Sequence, residues 1–378
     1  MSDKNTEKKT EDTKAEESKT EEKSEKKRLP RWAKVSIIVG SVLVVLALGV
    51  FIAVKVYLAR VPRIQEKERL DPASETFERS TEVEGASDTI NVEDVKWDEL
   101  YADVMKDSDI KNILLIGHDG RPGDTGSHRS DSIILCSINK VQGKINLVSF
   151  MRDMYVPIPG YSDNRINAAF SFGGASLLKE TIEQDFGISI DNCVEINFDG
   201  FIQAMTAVGD LEIELTAQEA DYLNETGNIM NLEEGLPESD WNLKEGKNLL
   251  RPDQVLAYSR TRYVGRSDYE RTERQRKVLT ASFNKISKLG LSDQVDLANA
   301  IIPHIATDMT DMEILGYVYY VVKDGVNIGD SNRVPADKSY TNEMINGMSV
   351  LLPKLAENTE LLKTWLYQGI ASPEAAGE

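Results

Sequence analysis

The chain has 378 residues, 40% of them hydrophobic, and 44 Lys and Arg against 63 Asp and Glu set a net charge of -19. That length permits two domains and a large core, while the acidity argues against nucleic acid as a partner, because phosphate backbones are held by basic surfaces. Two cysteines, Cys136 and Cys193, are too few for a disulfide framework or a cysteine zinc site; they could pair with each other outside a reducing compartment.

Residues 1–28 are nearly all Lys, Glu, Asp, Ser and Thr, a composition that cannot bury enough apolar surface to order itself. Val35–Val54 then runs 20 residues without a charge, which as a helix matches a hydrocarbon core about 30 Å thick. Lys26, Lys27, Arg28, Arg31 and Lys34 precede it and Lys55, Arg60 and Arg63 follow. This bias predicts a cytoplasmic N-terminus. The expectation is a disordered cytoplasmic tail over 1–34, a transmembrane signal-anchor over 35–57 and an extracytoplasmic stem over 58–110. The stem has some helix near Trp97–Met105. Localisation follows as a single-pass protein of the cell membrane with its C-terminal bulk extracellular.

From Lys111 the pattern alternates. "NILLIG", "DSIILCSIN" and "KINLVSF" read as buried strands, the last two joined by the glycine turn "KVQGK". "GGASLLKETIEQDFG" has helical spacing and a glycine stop. "CVEINF" reads as a strand, "DGFIQAMTAVG" as a helix and "LEIEL" as an alternating strand. A helix starts near Pro252, a long one covers "YERTERQRKVLTASFNKISKLG", and two or three more finish the chain. This predicts an α/β fold, a central mostly β-sheet flanked by helices on both faces (αβα) and preceded by one transmembrane helix. The main domain is placed at 111–330. C-terminal helices, including "MSVLLPKLAENTELLKTWLY", and a disordered end are placed at 331–378.

In α/β folds ligands gather at strand ends. Asp119 and Arg121 follow the first strand, Arg129 and Asp131 open the second, and Arg152 and Asp153 follow the third. Tyr258–Arg276 then holds six arginines and no lysine: Arg260, Arg262, Arg266, Arg271, Arg274 and Arg276. Arginine contacts phosphate through a planar fork that lysine lacks. Arg271, Arg274 and Gln275 share a helix face, near an N-terminus whose dipole disfavours cations unless an anion or carboxylate compensates. Asp119 and Asp131 beside phosphates suit Mg²⁺ (or Mn²⁺), a hard cation taking oxygen ligands. Structural Arg–Asp pairs on a solvated surface are the plainer reading, and Arg266 and Arg276 are expected to be surface. His118, His128 and His304 lack metal-ligand spacing; His118 and His128 flank the Asp119/Arg129 region and are expected to be incidental.

Together "NILLIGHDGR", "RSDSIILCSIN", "VSFMRDMYVPIPG", "RINAAFSFGG", "VEINFDGF" and "LAYSRTRYVGRSDYERTERQRKVL" resemble the LytR–CpsA–Psr (LCP) family of Gram-positive cell-wall enzymes over about residues 110–330. The resemblance implies a phosphotransferase that moves a teichoic acid or capsular-type polysaccharide from undecaprenyl pyrophosphate to a muramic-acid hydroxyl of peptidoglycan. It matches Asp119 and Asp131 to Mg²⁺-associated aspartates, and Arg129, Arg152, Arg260, Arg262, Arg271, Arg274 and Gln275 to pyrophosphate-contacting positions. Arg121 belongs to the first motif. Asp131 or Asp153 is the expected proton acceptor. His118 departs from the small polar residue usual before the first aspartate, and Asp210 from a common glycine. "FDGFIQAMTAV" is either part of an apolar lipid groove or ordinary core. The rival readings are a polyprenyl-pyrophosphate hydrolase and a non-enzymatic membrane-bound regulator of the cell envelope.

Overall fold

A computed structural model of the chain describes residues 55–74, 88–97, 104–120, 128–262, 264–265, 268–324 and 327–368. The architecture below belongs to the unit Tyr57–Glu378.

Three strands form the middle of the sheet: β1 (Ile110–His118), β2 (Ser130–Asn139) and β3 (Lys144–Phe150). Their near-continuous apolar sequence suits burial on both faces. β1 pairs antiparallel with β2, and β2 antiparallel with β3. β4 (Tyr155–Val156) and β5 (Asn164–Arg165) make a small ribbon beyond β3. β6 (Asn192–Asn197) runs parallel to β1 on its other side. β7 (Leu211–Leu215) and β8 (Gly246–Leu250) form a separate hairpin. β9 (Ala306–Thr307) borders β6, and β10 (Asn327–Val334) lies parallel to β3, so the central order is β10-β3-β2-β1-β6-β9.

Side-chain alternation gives each sheet face its own layer. Leu114, Ile116, Ile133, Leu135, Val148 and Phe150 face α1 (Ile166–Phe186), packing with Leu177, Leu178, Ile182 and Phe186. Ile113, Ile134, Cys136, Ile138 and Leu147 form the other layer with Leu279, Phe283, Ile314 and Tyr317. α2 (Phe198–Val208), α3 (Ala217–Glu233) and α4 (Pro252–Arg260) gather around the β7–β8 hairpin in a further cluster that also holds Val278 of the long helix α5 (Asp268–Ile286). α6 (Leu291–Ile301) and α7 (Asp311–Asp324) follow.

α1 begins seven residues before the stretch read as helical and is broken at Gly173 and Gly174. Gly174 has φ +65° and ψ -159°, a conformation reserved for a residue without Cβ. The break leaves the carbonyls of Ser171 and Phe172 to outside donors. Lys67 Nζ donates to Ser171 O at 2.7 Å and the Leu70 amide to Phe172 O at 2.9 Å. Residues 62–70, expected as part of a free stem, are therefore stitched along the domain, with Ile64 N donating to Thr307 O. Met105 bridges to Ile188; residues 98–103 of the helix expected there lie outside the described residues.

Three expectations need correcting. The transmembrane signal-anchor, with the single-pass membrane localisation built on it, is not upheld: among the described residues no helix is long and apolar enough to cross a membrane. Val35–Val54, the tail over 1–34 and residues 369–378 lie outside the described residues. The fold is thus a mixed αβ fold with a central sheet flanked by helices.

The second correction concerns the C-terminus. Residues 331–334 are the end of β10 in the central sheet, and β11 (Tyr340–Ile345) pairs with β12 (Met348–Pro353) as a hairpin. "MSVLLP" is therefore strand, closed by Pro353, and helix α8 starts only at Leu355 (Leu355–Lys363). The third concerns the cysteines. Cys136 on β2 and Cys193 on β6 are both free and buried, and β1 lies between their strands. Two strand spacings are about 10 Å, too far for a disulfide. Burial pushes both thiols up to about 12, so neither is a ready nucleophile.

Candidate anion site at the sheet edge

β3 ends at Phe150, and the turn that follows carries Arg152. The turn is fixed on two sides: Met151 N donates to Val334 O, and Asn167 N donates to Arg152 O. The Arg152 side chain is 19% exposed and meets three carboxylates. It donates from Nη1 to Asp131 Oδ1 on β2. Its Nε lies 3.2 Å from Asp268 Oδ2 and 3.5 Å from Asp153 Oδ2. Burial opposes its charge, but Asp153, Asp268 and Asp131 outweigh that and raise its pKa.

Two more arginines of the predicted set converge here. Arg262 Nη2 is 3.7 Å from Asp131 Oδ1 and its Nε 3.9 Å from Asp268 Oδ1. Arg271, in the first turn of α5, is only 3% exposed and lies 3.3 Å from Asp268. Burial and neighbouring Arg152 push Arg271 down to about 10, only partly offset by Asp268. It stays charged at neutral pH, and its buried Nε has no hydrogen-bond partner. A buried cation with an unused donor, next to two other guanidiniums, is what an anion would complete.

Asp268 and Asp153 form a hydrogen-bonded carboxyl pair. Burial and the bond to Asp268 raise Asp153, with Arg152 and Arg165 opposing. Burial also works to raise Asp268, but the bond from Asp153 and the charges of Arg271, Arg152 and Arg262 bring it down to about 2. The two neighbouring carboxyls are thus driven apart, Asp153 above and Asp268 below the ordinary carboxylate value. Sequence reading missed Asp268, although an acid opening a helix, three residues before a buried arginine, is the carboxylate that the helix dipole and Arg271 call for. It also missed Arg165, whose Nε is 3.6 Å from Asp153 Oδ1, and Asn167, whose Oδ1 is 3.5 Å from Arg129 Nη1.

Asp119 lies on the same sheet edge, just past β1, where His118 pairs with Ser130 across the ladder. Its carboxylate is 52% exposed and 3.7 Å from His128 Nδ1. His118 packs its ring on Phe170 at 5.4 Å; burial and His128 lower its pKa, with Asp119 opposing. Asp119 and Asp131 suit a hard divalent cation in donor chemistry and in sharing an edge. Among the described residues no group of three or more His, Cys, Asp and Glu could hold a metal by itself. A cation there would complete its shell from phosphate and water.

The other predicted residues part company. Arg274 is 2% exposed but turns away, to Glu219 Oε1 at 3.2 Å and the Thr261 carbonyl at 2.6 Å. Arg271 and Arg274 lie on one helix as expected, but residues three apart differ by about 60° in direction, and these two long side chains reach different neighbours. Gln275 is half-buried, with Oε1 lacking a partner. Arg260 pairs with Glu234 and lies over the Phe198 ring, 4.9 Å from its centroid. Arg276 is not surface: it is buried, donating to Ser149 Oγ at 2.7 Å and Ser331 Oγ at 2.8 Å. Arg121 and Arg266 lie outside the described residues. In α2, Ala204, Met205 and Val208 are packed against Leu211 and Val255 as core.

The chain is 33% identical over 255 residues to the polyisoprenyl-teichoic acid–peptidoglycan teichoic acid transferase TagU of Oceanobacillus iheyensis, covering 58% of this chain and 74% of that protein. It is 30% identical over 190 residues to the regulatory protein MsrR of Staphylococcus aureus, covering 50% of this chain and 53% of that one. In fold it is similar to the solved structure of TagT bound to LIIa-WTA, with a TM-score of 0.54 and 23% identity over 70% of this chain and 92% of that one. The LytR_cpsA_psr family model matches residues 71–365. The chain therefore belongs to the LytR–CpsA–Psr family, a group associated with cell-wall glycopolymer attachment.

Proposed function

We propose that this protein is a phosphotransferase that moves a glycopolymer, of teichoic acid or capsular type, from an undecaprenyl-pyrophosphate carrier to a muramic-acid hydroxyl of peptidoglycan. The observation that carries this reading is the convergence of Arg152, Arg262 and Arg271 on one sheet edge, with Arg271 buried and its Nε unused. The TagU relative and the fold shared with TagT support the class of donor.

In this reading Arg152, Arg262 and Arg271 hold the pyrophosphate, with Arg129 beside them. They oppose the charge that gathers on the phosphate oxygens as the acceptor hydroxyl attacks. A new bond forms from the muramic-acid oxygen to the polymer-bearing phosphorus. The pyrophosphate bridge breaks, and undecaprenyl phosphate leaves with the electron pair. Asp131 takes the hydroxyl proton. Asp153 is less well placed for that task because it is set between Arg152 at 3.5 Å and Arg165 at 3.6 Å. Mg²⁺ or Mn²⁺, held by Asp119 and Asp131, would supply further charge neutralisation on the phosphates.

Purified protein given lipid-linked polymer and labelled peptidoglycan tests the proposal. Polymer joined to label is the expected product, and Arg152→Ala is expected to lower its rate by about 100-fold or more, as for loss of a preorganised charge donor. Release of phosphate without joined polymer would mean hydrolysis, and no turnover by either route would leave the regulatory reading.

A further inference from the structure

The turn that carries Asp119 is closed by an unusual side chain. β1 ends at His118, where the ladder to β2 shifts register. His118 Nδ1 accepts the Gly120 amide hydrogen at 3.1 Å. This bond spans residues i and i+2, with Asp119 enclosed between them. Ser, Thr, Asn and Asp commonly make the same bond through a side-chain oxygen. Here an imidazole nitrogen takes that oxygen's place, with the ring proton on Nε2.

The surroundings are built for this bond. The His118 ring is 5.4 Å from the Phe170 ring and 6.4 Å from that of His128. Phe170 is 7% exposed and lies one helical turn beyond Asn167, the contact of Arg129. A Cβ on residue 120 would stand 2.8 Å from His118 Nδ1, closer than such atoms approach, and 3.0 Å from His128 Cδ2, a tight contact. Gly120 is thus matched to the ring that receives its amide.

We propose that His118 is a positioning residue for Asp119: its Nδ1 closes the 118–120 turn and holds the Asp119 carboxylate at the sheet edge it shares with Asp131. The inference rests on the reading of Asp119 and Asp131 as a divalent-cation site. In metal sites the groups that orient a ligand matter nearly as much as the ligand itself. His118 does so through the backbone of the turn.

The test is Mn²⁺ binding to the full-length protein, followed by the loss of the free-ion electron paramagnetic resonance signal. Four variants are compared with wild type. His118→Phe keeps a ring against Phe170 and removes the acceptor. Gly120→Ala keeps the amide, but its Cβ would stand 2.8 Å from His118 Nδ1 and push the ring off it, so loss of fold in one variant leaves the other to decide. His118→Asn restores an acceptor without the ring. Asp119→Asn removes the proposed ligand. Expected are saturable binding by wild type, loss of it in Asp119→Asn, weakening of about 10-fold or more in His118→Phe and Gly120→Ala, and near-wild-type binding by His118→Asn. Wild-type affinity in a folded His118→Phe or Gly120→Ala, or His118→Asn as weak as His118→Phe, overturns the inference while leaving the cation site standing. No saturable binding by wild type, or unchanged binding by Asp119→Asn, overturns the cation site and this inference with it.

Discussion

Asp268 lies within 4 Å of three arginines of the site: Arg152 at 3.2 Å, Arg271 at 3.3 Å and Arg262 at 3.9 Å. Replacing it by Asn keeps the size of the side chain but removes the charge that balances all three. The expected result is a fall in transfer rate and a stability loss that depends on pH. Asp268 sits at about 2 in the folded chain against an ordinary 3.8. A depressed carboxyl stabilises above its unfolded value and loses that contribution as pH falls through its folded one. Wild type therefore gains on the order of 2 kcal/mol from this group near pH 7, most of it gone by about pH 2. Urea unfolding at pH 7 and at low pH checks this: the gap between wild type and Asp268→Asn narrows on acidification. A gap constant with pH would mean that Asp268 acts by shape rather than by charge.

At the scale of elements, residues 62–70 cross the break in α1 and place Lys67 near Glu195 of β6. Burial and nearby Asp308 raise Glu195 to about 7, and Lys67 only partly opposes them. A carboxyl raised on folding stabilises fully below its unfolded value of 4.5, and that contribution is lost as pH rises through 7. Glu195→Gln removes the ionisable group, so it is expected to flatten the decline in stability between pH 5 and 8 by on the order of 3 kcal/mol. Denaturant midpoints at several pH values measure it; a wild-type midpoint flat over this range counts against the account.

Which elements the sequence revealed follows from the same physics. β1, β2 and β3 are buried in the middle of the sheet, so their apolar runs are legible. β10 reads "NIGDSNRV" and pairs with only one neighbour in the sheet; β9 has two residues. Neither offers a periodic apolar signal, and β12 was taken for helix because "MSVLLP" runs into a helical stretch. At the site, residue types at strand ends located Asp131, Arg152 and Asp153. The directions of Arg260 and Arg274 depended on Glu234 and Glu219, acids of another helix region that no local pattern connects to them.

For the whole molecule, the net charge of -19 opposes any anion at long range, yet the site gathers guanidiniums from distant stretches of chain. Screening at physiological salt confines the remote acidic field to within about 8 Å, so the local arginines decide what binds. Those arginines come from the turn after β3, the loop after α4 and the first turn of α5. An anion bound among them ties the sheet to the helical cluster and is absent from the unfolded chain. Inorganic pyrophosphate should therefore stabilise the fold by mass action, by about 2.7 kcal/mol at a hundredfold excess over its dissociation constant. Thermal unfolding at rising pyrophosphate is expected to show a midpoint that climbs with concentration. Arg271→Ala should abolish most of that climb, because it removes the buried donor that lacks a partner. Arg274→Ala should leave the climb intact while lowering the midpoint throughout, since it strips Glu219 of its buried counter-charge. Equal climbs in wild type and Arg271→Ala would place the anion elsewhere and remove the main support for a pyrophosphate donor at this edge.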